Sequence, residues 1–450
     1  MGGSMCGIIA ATGASALSQA YFGLQLLQHR GQDGFGLLAK GGDIFYERLR
    51  GLVNQSPIDT QKDIRIAIGH TRYSTIGTFR EQELQPFAFK NVAICHNGNI
   101  TNYQDLKNKH TNFDFASNND AEVFLPLLAG LTATSFNEQV KNILTEVEGA
   151  YSVVGLLNDD YIFAFRDTRG MRPLFMGKNS NDYAFASESQ ALSFLGYKEI
   201  TEVKAGEAIL IHQADGIVSQ SILQQEKPAA CMFEWVYFAG VEGQIQDLPI
   251  YQARLNLGRL LAKKIIDPTK YDIVAPVPDT SRTSAIAMAE SLNLPYREIL
   301  IKNRYVQRSF ILNSQKQREA AVNWKLMPVL SEIKDKRILL VDDSIVRGTT
   351  SKRIHRLLKE FGAKSVAIAS ACPPIRHPCY YGVDFPNKED LVANARNLSQ
   401  IAEHIEADEV FYLDENDLKL GLKSEGLCMA CVNGDYPSEI NRERVIEARL

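Results

Sequence analysis

Arg337-Ile-Leu-Leu-Val341-Asp342-Asp343-Ser344-Ile-Val-Arg347-Gly348-Thr349-Thr350-Ser351 is an apolar run that stops at two adjacent carboxylates and continues through a Gly/Thr turn. The apolar part reads as a buried strand, and the residues after the turn predict a helix over 351–360. A helix opening leaves backbone N–H groups without partners and carries the positive end of the dipole, so the turn suits a phosphate. Gly348 lets the backbone approach that phosphate closely. Acids at a strand end can accept hydrogen bonds from sugar hydroxyls or bind Mg2+. A solvated surface turn would account for an isolated Asp-Asp pair. The unbroken succession of strand, acids, Gly-Thr-Thr and helix favours a ligand site at the carboxyl edge of a parallel sheet.

The surrounding pattern fits such a sheet. Upstream, the spacing predicts a helix over 249–266, a strand over 271–277, a helix over 284–292 and a strand over 298–301; downstream, a strand covers 365–370. Apolar strands alternating with amphipathic helices argue for a mostly parallel, doubly wound sheet. Before Lys227-Pro228 the pattern differs. Short β-rich runs at 64–70, 92–96, 151–157, 161–165 and 183–187 follow one another with few helices between them. One predicted helix spans 15–28, with Leu17, Ala20, Tyr21, Leu24 and Leu27 on one face, and another spans 120–128. This half predicts an antiparallel sheet carrying helices on its faces, and the boundary falls near residue 230.

A chain of 450 residues is long for one core and leads us to expect two domains. With 45% hydrophobic and 23% charged residues the composition is that of an ordinary globular protein, and a net charge of −4 gives no electrostatic case for nucleic acid. No apolar run reaches membrane-spanning length, and the first residues lack the pattern of a secretory signal, so a cytoplasmic location is expected. In that setting the seven cysteines point to catalysis or metal rather than disulfides. Cys95 and Cys372, in apolar runs, read as buried thiols.

The 337–351 stretch resembles the type I phosphoribosyltransferase family. The resemblance implies that Asp342 and Asp343 grip the ribose, while Ser344, Arg347, Gly348, Thr349 and Thr350 take the 5-phosphate. Val277-Pro278-Asp279-Thr280-Ser281 looks like that family's pyrophosphate-side loop, which would place Ser281 with Asp342 and Asp343 at Mg2+. The basic, aromatic run Lys302–Phe310 resembles its mobile loop, although a solvated basic face explains that run equally well.

Near the amino end, Cys6-Gly7-Ile8-Ile9 would alone be a small core residue before a strand. Four polar segments follow it: His29-Arg30-Gly31-Gln32-Asp33-Gly34, Gly69-His70-Thr71-Arg72-Tyr73-Ser74-Thr75, His96-Asn97-Gly98-Asn99 and Asn119-Asp120-Ala121-Glu122. In this order they resemble a class II glutamine amidotransferase domain of the amino-terminal-nucleophile type, an αββα sandwich. The resemblance makes Cys6 the nucleophile and gives the oxyanion to the Asn97 side chain and the Gly98 N–H. Arg72 would bind the glutamine α-carboxylate, Asp120 the α-ammonium, and Arg30 would gate the pocket. The chemistry fits: a thiol attacks a carboxamide, a base takes its proton, and fixed donors hold the oxyanion.

From Cys6 to about Ile440 the chain resembles the glutamine phosphoribosylpyrophosphate amidotransferases, with residues 6–230 as glutaminase and 231–450 as phosphoribosyltransferase. Arg166–Leu174, Ala186–Ser189 and Cys231–Ala239 belong to the match. The implied reaction turns glutamine, water and phosphoribosyl pyrophosphate into 5-phosphoribosylamine, glutamate and pyrophosphate, the first step of purine synthesis. A cytoplasmic homotetramer inhibited by purine nucleotides is implied too. One branch of that family holds a 4Fe–4S cluster on cysteines positioned like Cys231, Cys379, Cys428 and Cys431. Four thiolates suit zinc equally on ligand type. Gly240 departs from the arginine usual in relatives, which puts any interdomain ion pair there in doubt. The competing reading is a non-catalytic purine-sensing regulator that keeps the phosphoribosyltransferase fold; the chain lacks a basic DNA-binding module to go with it.

Met1–Met5 precede Cys6, either as a propeptide or as residues added ahead of a start at Met5. While they remain, Cys6 has an amide in place of the α-amine, a base with a pKa of about 7.7–8.0. Chain that retains them is expected to release no glutamate from glutamine yet to use free ammonia. Intact mass measured alongside activity checks this, and full glutamine turnover by unprocessed chain would remove the α-amine from the mechanism.

Overall fold

In the first half the strands are β1 (Gly7–Thr12), β2 (Gly34–Gly41), β3 (Ile44–Arg50), β4 (Ile64–Arg72), β5 (Phe87–Phe89), β6 (Val92–Ile100), β7 (Gly149–Leu157), β8 (Tyr161–Arg166), β9 (Phe175–Asn179), β10 (Asp182–Ala186), β11 (Glu199–Glu202), β12 (Glu207–His212) and β13 (Gly216–Ile222). They form two antiparallel sheets, one ordered β11-β9-β10-β1-β4-β2-β3 and the other β13-β12-β8-β7-β6-β5. This computed structural model describes residues 5–55, 58–59, 62–73, 81–303, 326–385 and 387–438. Met1–Ser4, Ser74, Thr75, the run from Arg304 through Phe310 and the tail after Ser438 therefore lie outside the described residues.

Alternation along the strands makes the sandwich. Ile8 and Ala10 of β1 pack with Ile66, Ile68, Cys95, Val154 and Ala164 between the two sheets. Ile9 and Ala11, pointing the other way, pack with Leu17, Ala20 and Leu24 of the helix Ala16–Leu26. On the far side Ile94, Val153 and Phe163 meet Phe124, Val140 and Ile143 of the helices Phe124–Leu127 and Phe136–Glu146. Strands buried on both faces carry continuous apolar runs, and so β1 reads Gly-Ile-Ile-Ala-Ala. The layers are helix, sheet, sheet, helix.

The chain leaves the sandwich through three two-residue strands, β14 (Ala230–Cys231), β15 (Gln244–Ile245) and β16 (Leu248–Pro249), with a π-helical turn, Glu234–Phe238, inside this junction. Then come β17 (Ile273–Pro276), β18 (Leu300–Lys302), β19 (Leu326–Pro328), β20 (Arg337–Asp342), β21 (Ser365–Ser370), β22 (Val410–Tyr412) and β23 (Leu427–Cys428). β17-β20-β21-β22 is a fully parallel sheet. Ile338 and Leu340 pack on one face and Leu339 and Val341 on the other. The face with Leu339 belongs to the same continuous core as Trp235 of the junction and Leu24 of the first half, so the two halves are packed together without a solvent gap there.

The strand expected over 298–301 departs from the prediction. It forms at Leu300–Lys302 and pairs antiparallel with β19, outside the parallel sheet. Ile299 and Leu300 are buried but Ile301 is 42% exposed, so the run loses its cover at its carboxyl end, where it pairs with β19 alone. The helix expected over 120–128 begins as a 3-10 turn, Asp120–Val123, capped by the Asn119 side chain accepting from the Ala121 N–H.

Candidate active sites

β4 brings its end beside the start of β1: Gly7 pairs with Thr71, and the Gly7 N–H donates to Thr71 Oγ1 at 3.1 Å. This register sets Cys6 next to Arg72 and Tyr73. The Tyr73 backbone hydrogen-bonds the Cys6 thiol, and the charges of Arg72, Asp120 and Arg30 all act on it. Burial raises the thiol pKa; the Tyr73 amide and the two arginines oppose that rise, and Asp120 adds to it. Asp120 is anchored by the Ile100 N–H, which donates to its Oδ2 at 2.8 Å.

β6 supplies the donors. Asn97 has no exposed surface, and neither its Nδ2 nor its Oδ1 has a hydrogen-bond partner among the described residues. A buried carboxamide without a partner costs on the order of 1–3 kcal/mol, which a bound oxyanion would recover. At Gly98, φ is +150° and a Cβ would stand 1.8 Å from the Ala150 carbonyl oxygen, so only glycine fits. His70 and His96 are buried nearby, and burial lowers the pKa of both, leaving them neutral.

Two arginines are already engaged. Arg72 Nη2 meets Glu83 Oε2 at 2.6 Å and its Nη1 donates to the Glu83 carbonyl oxygen at 2.7 Å, so a carboxylate of the chain itself occupies the predicted substrate clamp. Arg30, expected to gate the pocket, is instead a buried pillar with 2% exposure. Its Nε donates to the Cys6 carbonyl oxygen (3.2 Å), its Nη1 to Glu188 (2.5 Å), and its Nη2 to both oxygens of Glu234 (3.1 Å each). The guanidinium is thus held on all three of its nitrogens in the interior, beneath Cys6.

The second site lies where β20 ends. The Asp343 N–H donates to Asp342 Oδ1 (2.9 Å) and Ser344 Oγ to Asp343 Oδ1 (2.9 Å). Both acids are buried; burial pushes the Asp343 carboxyl up to about 6, and burial together with the Asp343 charge pushes Asp342 well above its ordinary range. Gly348, at φ +73°, caps the helix Thr349–Glu360. A Cβ on Gly348 would come 2.8 Å from Ile405. A hollow opens over this turn, lined by Ser344, Arg347–Ser351 and Val383–Phe385, with Phe233 and Tyr237 from the junction on its wall. Ser281, the other expected metal ligand, donates its hydroxyl to the Val277 carbonyl oxygen at 2.7 Å, back onto its own loop. Lys302, where the expected mobile loop begins, donates to Asp279 at 2.9 Å.

The four cysteines come together at the junction. β14 and β23 pair in parallel with Cys231 beside Cys428, and the Arg376 and His377 N–H groups donate to the Cys431 carbonyl oxygen. The Tyr381 N–H donates to Cys379 Sγ at 3.4 Å. Burial raises the Cys231, Cys428 and Cys431 thiols, and the charge of Cys379 acts on all three. Among the described residues no group of three or more His, Cys, Asp or Glu stands ready to hold a metal ion. Cys95 and Cys372 are buried, as expected.

Glu83, Arg172, Glu188, Glu234 and Arg254 were assigned no role from sequence. The signal for Glu234 is a charge inside the otherwise apolar stretch Cys231–Ala239; Arg172 and Glu188 stand among other polar residues, and neither they nor Glu83 carry a comparable mark.

Taken together, the two halves define a glutaminase built onto a phosphoribosyltransferase. Residues 70–194 match the glutamine amidotransferase domain family and residues 244–410 the phosphoribosyl transferase domain family. Over its whole length the chain is 39% identical to an amidophosphoribosyltransferase of Methanocaldococcus jannaschii (98% of this chain, 99% of that one) and 40% identical to one of Pyrococcus horikoshii (96% of each). Among solved structures it matches glutamine phosphoribosylpyrophosphate amidotransferase from B. subtilis complexed with ADP and GMP, at TM-score 0.87 and 35% identity, over 97% of this chain and 98% of that one. A structure described as the allosteric regulatory enzyme of purine biosynthesis matches at TM-score 0.91 and 35% identity, over 99% of each chain. The chain belongs to the amidophosphoribosyltransferase family, enzymes that carry the amide nitrogen of glutamine to phosphoribosyl pyrophosphate. No helix among the described residues is long and apolar enough to cross a membrane.

Two outcomes follow from the geometry. Because the folded-state pKa of Asp343 is raised from 3.8 to about 6, the stability of the unliganded protein is fullest below the lower value and falls as pH rises through the upper one. Asp343→Asn removes that loss, so its Tm should match wild type near pH 4 and exceed it above pH 6, while phosphoribosyl transfer falls by about 10²-fold or more. Thermal melts across pH check the first part and pyrophosphate release the second. Glu83→Ala, which empties the Arg72 clamp, should lower the KM for glutamine by about fivefold or more, because the ion pair it removes is largely shielded from water, in steady-state glutamate release.

Proposed function

We propose that Cys6 attacks the glutamine carboxamide, with the Asn97 Nδ2 and the Gly98 N–H receiving the oxyanion. Arg72 and Asp120 hold the α-carboxylate and α-ammonium, and the α-amine of Cys6, once residues 1–5 are gone, takes the thiol proton. That proton passes to the leaving nitrogen as ammonia, and water then releases glutamate from the thioester. In the second half, Asp342 and Asp343 orient the ribose through its hydroxyls, and the 344–350 turn fixes the 5-phosphate. Ammonia attacks C1 as the C1–O bond to pyrophosphate breaks.

The observation that carries this reading is the convergence of the Tyr73 amide, Arg72 and Asp120 on the Cys6 sulfur, with the Asn97 carboxamide buried and unpartnered in the same site. Mg2+ fits the second site by donor chemistry: buried acids whose pKa is raised are relieved by a cation. Asp342, Asp343 and, after rotation of its hydroxyl, Ser281 would hold it, and it would supply neutralisation of the pyrophosphate charge. By ligand type a 4Fe–4S cluster suits Cys231, Cys379, Cys428 and Cys431, mutually interacting thiols of which Cys379 is buried and the other three half-buried; they would hold it, and it would supply a structural tie between junction and tail. Feedback by purine nucleotides, a homotetramer and a cytoplasmic location complete the reading; the ADP and GMP on the B. subtilis structure support the first.

The test is glutamate release by processed, metal-loaded enzyme with and without phosphoribosyl pyrophosphate and Mg2+, alongside iron, sulfide and zinc content. Release that rises with the sugar and is matched by pyrophosphate supports both sites; release indifferent to the sugar overturns the assignment of the second. Iron and sulfide in equal amount, near four per chain, support the cluster, and stoichiometric zinc replaces it.

A further inference from the structure

Glu234 opens the junction turn Glu234–Phe238 and follows the amidotransferase half in sequence, yet its carboxylate lies beneath that half's nucleophile. It is 1% exposed. Both of its oxygens accept from Arg30 Nη2 at 3.1 Å, and Oε1 also receives Arg172 Nη1 at 3.4 Å. Arg30 in turn reaches the Cys6 carbonyl oxygen through Nε at 3.2 Å. That carbonyl is bonded to the Cα that carries both the thiol and, after processing, the α-amine. Where it sits decides where the sulfur and its base point.

The turn itself is pinned from the other half. Arg254, on the helix Ile250–Ala262, donates Nε to the Trp235 carbonyl oxygen (2.9 Å) and Nη2 to those of Tyr237 (3.1 Å) and Ala239 (2.9 Å). The line of contacts from helix Ile250–Ala262 through the turn, Glu234 and Arg30 to the Cys6 carbonyl is unbroken.

We infer that Glu234 is a positioning residue for amide transfer: through Arg30 it fixes the backbone of Cys6, so the glutaminase is incomplete without a side chain from the other half. This rests on reading Cys6 as the nucleophile. A buried ion pair by itself adds little net stability, because desolvation offsets attraction. What distinguishes this one is that its arginine hydrogen-bonds the backbone of the reacting residue. Misplacing a reacting group by about 1 Å costs about 10²-fold in rate, whereas substrate affinity, set by other groups, need not move.

The experiment compares wild type, Glu234→Gln and Glu234→Asp as processed, metal-loaded, full-length enzymes. Glutamine-driven glutamate release and ammonia-driven pyrophosphate release are measured on each. For Glu234→Gln the inference expects a fall in glutamine kcat of about 10²-fold, a little-changed KM for glutamine and ammonia-driven synthesis near wild type. Glu234→Asp, which keeps the charge, should recover part of the loss. Removing one charge can unfold the junction, so Arg172→Gln/Glu234→Gln, which keeps the buried charges balanced, is measured too and should show the same split. Unchanged glutamine kcat in either Gln-bearing protein overturns the inference. So do equal losses in both reactions, or failure of both proteins to fold, since each marks a purely structural pair. Failure of the underlying reading is separate: it shows as full glutamine turnover by Cys6→Ala, or none by wild type.

Discussion

Two arginines and two glutamates removed from water at the junction are the constraint around which both sites are arranged. Each ion taken from water costs several kcal/mol, and leaving any one without its partner would be strongly destabilising. Arg30 and Arg172 come from the sandwich with Glu188, and Glu234 comes from the chain beyond it. Burial alone would raise the Glu188 carboxyl, but His29 and Arg30 outweigh it and hold it far below the carboxylate range. The charges are mutually satisfied only when the halves are docked in one way, so the set specifies their orientation more than it adds stability. Gly240 belongs to the same arrangement. Its N–H donates to Glu188 Oε2 at 2.9 Å, and a Cβ there would meet Glu242 at 2.8 Å.

With the halves fixed, each site is left with an electrostatic imbalance. The glutaminase half keeps the Asn97 carboxamide buried without a partner among the described residues, while Arg72 is held by Glu83. The phosphoribosyltransferase half keeps two adjacent buried acids on one strand end whose pKa is raised even though the Asp343 N–H and the Ser344 hydroxyl donate to them. Each imbalance costs stability in the empty protein, and on the reading proposed above the ligands would relieve it, an oxyanion and carboxylate in one, a cation and hydroxyls in the other. The sandwich and the parallel sheet tolerate this because their cores are apolar on both faces of the central strands.

Much of this was legible in the sequence, for reasons that can be given strand by strand. β1, β20 and β21 are buried on both faces and so appear as continuous apolar runs, and the turn after β20 needs glycine at one position. Such demands leave marks on residue type. The edge strand β13 is half exposed, with Ile217, Val218 and Ile222 facing solvent, and its weak alternation gives no prediction; its neighbour β12 is buried and goes unpredicted all the same. The run at β18 misled because three apolar residues, Ile299–Ile301, do not reveal how far along the strand the cover extends. For the sites, Cys6, Asn97, Asp342 and Asp343 were marked by polar residues ending apolar runs. The partners of Arg30 were not, because a charge's partner 158 or 204 residues away leaves no local trace. A guanidinium at the mouth of a pocket and one buried beneath it are identical in sequence.

The five-residue turn Glu234–Phe238 shows how that long-range pairing becomes architecture. Its π-helical winding turns Glu234 toward Arg30 beneath Cys6, while Tyr237, three residues on, lines the hollow above the 344–351 turn. An ordinary surface turn would expose its carbonyls to water; here two of them, at Trp235 and Tyr237, and that of Ala239 just after the turn are capped by Arg254, whose own charge reaches Asp343. Burial draws the Arg254 pKa down to about 10, a cost accepted only because the guanidinium satisfies three buried acceptors at once. One short segment therefore borders both active sites and is held rigid from each side. A reaction whose product at the first site must be consumed at the second requires that their separation not drift, and this turn, within the core that both halves share, ties one to the other.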